Sequence, residues 1–191
     1  MLLRPPDLAD AVGLAEQWAD PMTRRWDAVA VSGRAAAQGR LARMGRGWER
    51  PDGPRTWVID DLRGPDSPRY AGHIGLAPRG PGSAEVDYGL HPRARGAHVM
   101  STALRLVCQW WFASGGRRVT WWAEAGHIES WRVARSCGFT FEGTTLTCLS
   151  PPNGPVLGWS ASLTAGDDLS RPAPAAPTSP TLDVSPVHAD R

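Results

Sequence analysis

The fold options of this sequence narrow at one loop, His91-Pro-Arg-Ala-Arg-Gly-Ala-His98, set between a strand-like run at 84–90 and an amphipathic helix ending near residue 114. A loop that opens a helix offers unpaired backbone N–H groups and the positive end of the helix dipole, which together attract an anion. Arg93 and Arg95 strengthen that attraction for phosphate. His98 stands where a phosphate cradle favours glycine. The loop predicts a phosphate site with one residue out of character.

At 191 residues the chain suits one domain with a real core and is too short for two comfortable ones. A net charge of +2 argues against a nucleic-acid partner. All 21 basic residues are arginine, a bias that GC-rich coding explains. Cys108, Cys137 and Cys148 fit no metal-ligand spacing, and an odd number suits a reducing compartment. The histidines show no zinc spacing, so no metal is expected. No leader pattern opens the chain, and nowhere do about 18 apolar residues run together, so a cytoplasmic protein without a membrane partner is expected.

Residues 1–4 read as a strand cut off by Pro5-Pro6. Asp7 caps a helix whose Leu8, Ala11, Val12, Ala15 and Trp18 recur at helical spacing. A second helix spans about 33–46, its arginines reading as a solvated face. Strands follow at 56–60, 70–76 and 84–90, then the loop and its helix, which Gly115-Gly116 ends. A strand at 117–124, a helix at 127–136, and strands at 139–146 and 156–163 complete the domain. From Gly166 onward proline, alanine, serine and aspartate dominate without periodicity, so 166–191 is expected as a disordered tail. The order of elements gives a single α/β (α+β) domain over 1–165. Neither Gly-x-Gly-x-x-Gly nor Gly-Lys-Ser/Thr occurs, which excludes the common nucleotide loops.

Several landmarks then fall in order. Ala71-Gly-His-Ile-Gly-Leu76 precedes Glu85-Val-Asp-Tyr-Gly-Leu-His-Pro92, and Ala94-Arg-Gly96 leads to Thr102-Ala-Leu104. Ser130, Arg132-Val-Ala134, Gly138-Phe139 and Glu142-Gly143 follow. In this order they resemble the GCN5-related N-acetyltransferases (GNAT), and most closely the RimJ/RimL-like branch that acts on protein N-termini and small amines.

The resemblance implies a mixed, mostly antiparallel twisted sheet flanked by helices, whose strands at 84–90 and 117–124 splay apart to admit acetyl-CoA as co-substrate. The pantetheine arm is expected against Tyr88, Gly89 and Leu90. The pyrophosphate is expected on N–H groups of Arg95, Gly96, Ala97, His98, Val99 and Met100, and Ser101 is also expected to bind the cofactor. The resemblance implies acetyl transfer to a primary amine by direct attack, on a protein N-terminus, a peptide or aminoglycoside-like product, or a polyamine. The acting unit is expected as a monomer or homodimer. The helices at 7–18 and 33–46, which shape the acceptor side in this family, carry no acidic cluster that would favour polycations. The family's loop glycine is His98 here, its last small residue is Met100, and its helix-start asparagine is His127. A positive φ at His98 would be strained, whereas its protonated ring could itself meet the pyrophosphate.

The resemblance gives Ser130 as the acid for the CoA thiolate, with a helix-start serine bonded to backbone as the alternative. Glu85 and Asp87 share one strand face, so either carboxylate can receive the amine's proton or be a solvated strand residue. Glu124 is a third candidate base, and His127 is a base, a cofactor contact or a helix cap. Tyr88 is a sulfur-side donor or a core residue, and His73 and His91 read as strand-edge residues. Trp110-Trp111 and Trp121-Trp122 read as packing pairs, since no basic groove adjoins them. Two alternatives stay open: a GNAT fold that has lost turnover and serves as a binding or regulatory partner, and one repurposed for another acyl donor.

Overall fold

The computed structural model describes residues 1–27, 33–65, 67, 69–147 and 155–173, so the expectations for Cys148 and for 174–191 lie outside the described residues. The described strands are β1 (Leu2–Arg4), β2 (Arg55–Asp61), β3 (Arg69–Pro78), β4 (Ser83–Leu90), β5 (Arg118–Glu124), β6 (Thr140–Thr147) and β7 (Val156–Thr164). They form one sheet in the order β1-β2-β3-β4-β5-β7-β6. Only β4 and β5 run parallel; the other neighbours are antiparallel. The helices are α1 (Ala11–Ala19), α2 (Pro21–Trp26), α3 (Arg34–Arg46), α4 (Val99–Ala113) and α5 (Ile128–Ser136).

Alternation along the strands sends every second side chain to each face. Ile74, Leu76, Val86, Val119 and Trp121 bury against Val99, Ala103, Leu104, Val107 and Cys108 of α4, and against Trp131 and Ala134 of α5. Each large apolar side chain buried there contributes roughly 1.5–3 kcal/mol. On the opposite face Ala11, Leu14 and Trp18 of α1 interlock with Ala37, Leu41 and Met44 of α3. Arg4 locks the entry to that layer, donating to Asp60 on β2 and to Asp10 ahead of α1, both at 2.6 Å. The expected helix at Asp7 begins as a 3₁₀ turn, Leu8–Asp10, closed by a reciprocal cap between Asp7 and Asp10.

Residues 166–173, which composition assigns to a disordered tail, are bonded to the domain. Arg105 Nε donates to the Leu169 carbonyl at 3.0 Å, Arg135 Nε donates to the Ala173 carbonyl at 2.7 Å, and Ala173 is buried. Residues 166–173 therefore strap back over α4 and α5, because two arginine side chains supply donors that the composition of the segment does not reveal. Among the described residues, no helix is long and apolar enough to cross a membrane.

Candidate active site

The parallel pairing of β4 with β5 runs only from Ser83↔Arg118 to Val86↔Trp121. Beyond it Asp87–Leu90 and Trp122–Glu124 diverge, and the edges that face each other there have no strand partner across the gap. The loops that open α4 and α5 follow these two diverging ends. The site is built around that gap.

On the α4 side the loop keeps a glycine-type path through a histidine. His98 sits at φ 56°, ψ 14°, the only described non-glycine residue with positive φ, and Gly96 is at φ 76°. The left-handed region costs an L-residue roughly 1–2 kcal/mol, and histidine tolerates it better than most. The His98 carbonyl holds the strained turn in place, accepting from Ser101 Oγ and Thr102 Oγ1, each at 3.0 Å. No side chain caps α4, so its first N–H groups stay available for an anion. That backbone fits a pyrophosphate. The expected arginine support is arranged differently: Arg95 donates to Asp20 at 2.6 Å and to Thr23 at 3.1 Å, and Arg93 lies 3.4 Å from Glu16. Gly96, Ala97 and His98 are exposed, whereas Val99, Met100 and Ser101 are buried, and Met100 packs in the core.

On the α5 side His127 is the helix cap. Its Nδ1 accepts from Ser130 N at 3.2 Å, as an asparagine oxygen would, and its ring meets Trp26 edge-on at 4.6 Å between centroids. Burial holds its pKa below the usual histidine value, which keeps Nδ1 free to accept. Ser130 Oγ accepts from Trp121 Nε1 at 3.1 Å and donates to Tyr88 Oη at 3.3 Å. Tyr88 Oη in turn donates to the Ser130 carbonyl at 2.8 Å. Burial raises the pKa of Tyr88, so its phenol stays protonated. Tyr88 joins β4 to α5 and belongs both to the core and to the site.

Asp87 is the first residue of β4 past the paired segment, and it faces away from Tyr88. Its carboxylate lies over Gly75 on β3: a Cβ on Gly75 would come 2.4 Å from Oδ1 and 3.3 Å from Thr56 Oγ1. Only glycine leaves room for that side chain. Asp87 is exposed to solvent on one side and surrounded by protein on the others. Burial raises its pKa, Arg40 on α3 opposes the rise and Glu85 adds to it. Glu85 shares the face but pairs with Arg79 at 3.2 Å. Glu124 also lies on that face, half-buried, and lines a depression of ≈ 450 Å³ with Ala125, Gly126, Val156, Leu157 and Trp159.

His73 and His91 are not edge residues. His73 is buried on the Asp87 face, where desolvation takes its pKa down to about 4, and its Nδ1 lies 3.2 Å from Tyr70 Oη. Tyr70 donates to buried Gln17 at 3.0 Å, and Gln17 packs over Gly89. His91 is buried 3.2 Å from Glu16. Both histidines found partners on α1 or β3 that strand alternation cannot reveal. Sequence reading also missed α2, although Asp20 followed by Pro21 is a helix-start signal. Arg40, on α3, was likewise not singled out, and Arg25-Trp26 only as a weaker family landmark.

The profile of the acetyltransferase (GNAT) domain matches residues 1–140. No curated relative matches the chain. Among solved structures, a GNAT-family acetyltransferase from Bacillus anthracis is 15% identical with a TM-score of 0.73, covering 85% of this chain and 93% of its own. The microcin C7 self-immunity acetyltransferase MccE, solved with acetyl-CoA and AMP, is 16% identical with a TM-score of 0.75 and coverages of 85% and 91%. RimL, the ribosomal L7/L12 α-N-protein acetyltransferase solved with coenzyme A, is 16% identical with a TM-score of 0.73 and coverages of 85% and 92%. At these identities the likenesses speak for the fold, and they agree with the RimJ/RimL-like resemblance. The seven-stranded open sheet that splays between β4 and β5, together with the family profile, places this chain in the GNAT family of acyl-CoA-dependent acyltransferases.

Proposed function

We propose that the chain transfers an acetyl group from acetyl-CoA to a primary amine, with donor and acceptor approaching the β4–β5 gap from opposite faces of the sheet. One observation carries this reading: past Val86, β4 presents Asp87 to one face and Tyr88, bonded to Ser130, to the other. Acid and base candidates thus flank a single opening.

Acetyl-CoA supplies the activated thioester. The N–H groups of 96–101 and the positive end of α4 hold its pyrophosphate, and the unpaired edge of Asp87–Leu90 offers backbone partners to its arm. Asp87 takes a proton from the incoming ammonium, a task its raised pKa favours near neutral pH. The amine nitrogen bonds to the acyl carbon, gives its second proton to water as the C–S bond breaks, and Ser130 protonates the departing thiolate and recovers its proton from that water. Tyr88 and Trp121 orient that hydroxyl, and His127 fixes the helix start that carries it.

The experiment is calorimetric titration of acetyl-CoA at pH 6 and pH 8, followed by thiol release with an amine panel. Micromolar binding and amine-dependent thiol release are expected. A folded protein that binds no acetyl-CoA at either pH would sink the proposal in favour of a non-catalytic partner or another donor.

A further inference from the structure

We propose that the amine acceptor is a zwitterion, an α-amino acid or close analogue, whose ammonium group meets Asp87 and whose carboxylate meets Arg40. This inference rests on the acetyltransferase reading above and names the substrate class of that same site.

Five described arginines are half-buried: Arg4, Arg40, Arg55, Arg105 and Arg135. Arg4 is held by Asp10 and Asp60, Arg55 by the Pro51 carbonyl, Arg105 by the Leu169 and Ser136 carbonyls, and Arg135 by the Ala173 carbonyl. Arg40 alone has neither a hydrogen bond nor an ion pair among the described residues. A guanidinium partly withdrawn from water gains most from an anion that its planar fork can grip, and a carboxylate fits that fork.

Its position sets what the anion must be attached to. Arg40 belongs to the helix whose Ala37, Leu41 and Met44 pack on α1, on the Asp87 side of the sheet. From there its charge bears on both His73 and Asp87. In the antiparallel register His73 lies beside Val58 and Gly89, and Gly75 beside Thr56 and Asp87, so these residues tile one small area. His73 is neutral at physiological pH and Glu85 is engaged by Arg79, which leaves Asp87 and Arg40 as the opposed charges over it. Asp27, at the end of α2, adds a negative charge near His73 and has a partner of its own. A cation binding site for a polyamine would not place an unpaired guanidinium within electrostatic reach of its carboxylate. An α-amino acid carries its two charges a few bonds apart and complements both.

The test compares thiol release from acetyl-CoA with α-amino acids and with their carboxamides, in the native protein, Arg40→Gln and Arg40→Lys. The native protein is expected to favour the acids at least about tenfold in kcat/KM. Arg40→Gln should erase that preference by lowering turnover of the acids alone, and Arg40→Lys should keep part of it. Carboxamides used as well as the acids, turnover confined to amines lacking an acidic group, or an Arg40→Gln loss shared equally by both sets would each overturn the proposal. A second measurement does not need turnover: N-acetylated amino acids should raise the melting temperature of the native protein but not of Arg40→Gln. No such shift with any of them, in a protein that binds acetyl-CoA, overturns the zwitterion and leaves the acetyltransferase reading standing. Loss of acetyl-CoA binding itself would instead defeat that reading.

Discussion

Arg95, in the loop that opens α4, donates to Asp20, the cap of α2, across 2.6 Å. At its other end α2 sets Trp26 edge-on against His127, the cap of α5. The six-residue helix thus touches both loops that frame the β4–β5 gap, and Arg95 spends one terminal nitrogen and most of its charge on Asp20 rather than on phosphate.

Replacing Asp20 by asparagine separates these duties, because asparagine caps a helix as well as aspartate does but carries no charge. Asp20→Asn should free Arg95 and tighten acetyl-CoA by up to about fivefold, the range that a partly exposed ion pair supports. The same change should raise KM for the amine, since α2 loses its anchor. Calorimetry and steady-state kinetics on one preparation read both shifts. Weaker acetyl-CoA binding would mean that the pair supports the donor loop.

Strain at His98 gives a second prediction. Glycine removes the left-handed penalty whereas alanine keeps it, so His98→Gly should be more stable than His98→Ala by about 1 kcal/mol in urea unfolding. If the loop path is what the pyrophosphate needs, His98→Gly retains acetyl-CoA affinity. A tenfold or greater loss in that variant would assign the contact to the imidazole.

Ser130 and Tyr88 are separable as well. Ser130→Ala removes the candidate acid and leaves buried Trp121 Nε1 without its acceptor, so activity should fall about 100-fold and stability by about 1–3 kcal/mol. Tyr88→Phe keeps the serine hydroxyl and should lower kcat less than Ser130→Ala does, with little change in KM for acetyl-CoA. Equal losses of kcat in the two variants would move the acid from Ser130 to the phenol.

Much of the fold was legible because the period of the apolar pattern changes where the elements change. The strand over 84–90, the helix beyond the loop and the valine- and tryptophan-rich β5 all follow from local pattern and turn chemistry. The strain at His98 was legible too, since a histidine in a glycine position allows few outcomes. What stayed hidden depends on the third dimension. A six-residue helix such as α2 is too short to show a period. The arginines of α3 all read as one solvated face, and only the rotation of that helix against the sheet draws Arg40 inward. His73 and His91 are buried by Tyr70, Gln17 and Glu16, which are distant or unremarkable in sequence. The carboxylates of β4 shared a face in the sequence reading, but the pairing of Glu85 with Arg79 and the gap left by Gly75 distinguish them.

Buried His73 gives a pH prediction that does not depend on catalysis. Its folded pKa, about 4, lies below the model-peptide value of 6.5, so the neutral ring is the form that folds. Stability from this site is complete above pH 6.5 and falls as pH drops toward 4, by about 3 kcal/mol at about 1.4 kcal/mol per unit. His73→Gln should flatten stability over that window, as measured by urea unfolding at stepped pH. An unchanged slope would mean that the imidazole is solvated.

Asp87 has the opposite sign. Burial raises the pKa of this carboxyl, so the folded chain holds its proton more tightly than the unfolded chain does. Stability therefore declines as pH rises through the range between the two values, and at neutral pH the ionised group is a liability to the fold. Asp87→Asn keeps the shape over Gly75 and removes that liability, so the variant should melt at a higher temperature than the native protein at pH 7, with the advantage vanishing at pH 3. The same substitution should lower kcat by about 100-fold or more, and the acidic limb of the native pH–rate profile should disappear with it. Gly75→Ala offers an independent check: its Cβ would displace the carboxylate without removing it, so activity should fall while the acidic limb persists. A group that costs stability where it sits and is required for turnover is the pattern of a working base. An Asp87→Asn protein that is less stable at pH 7 yet fully active would make Asp87 a structural residue and pass the proton to Glu124, the other candidate carboxylate on that face.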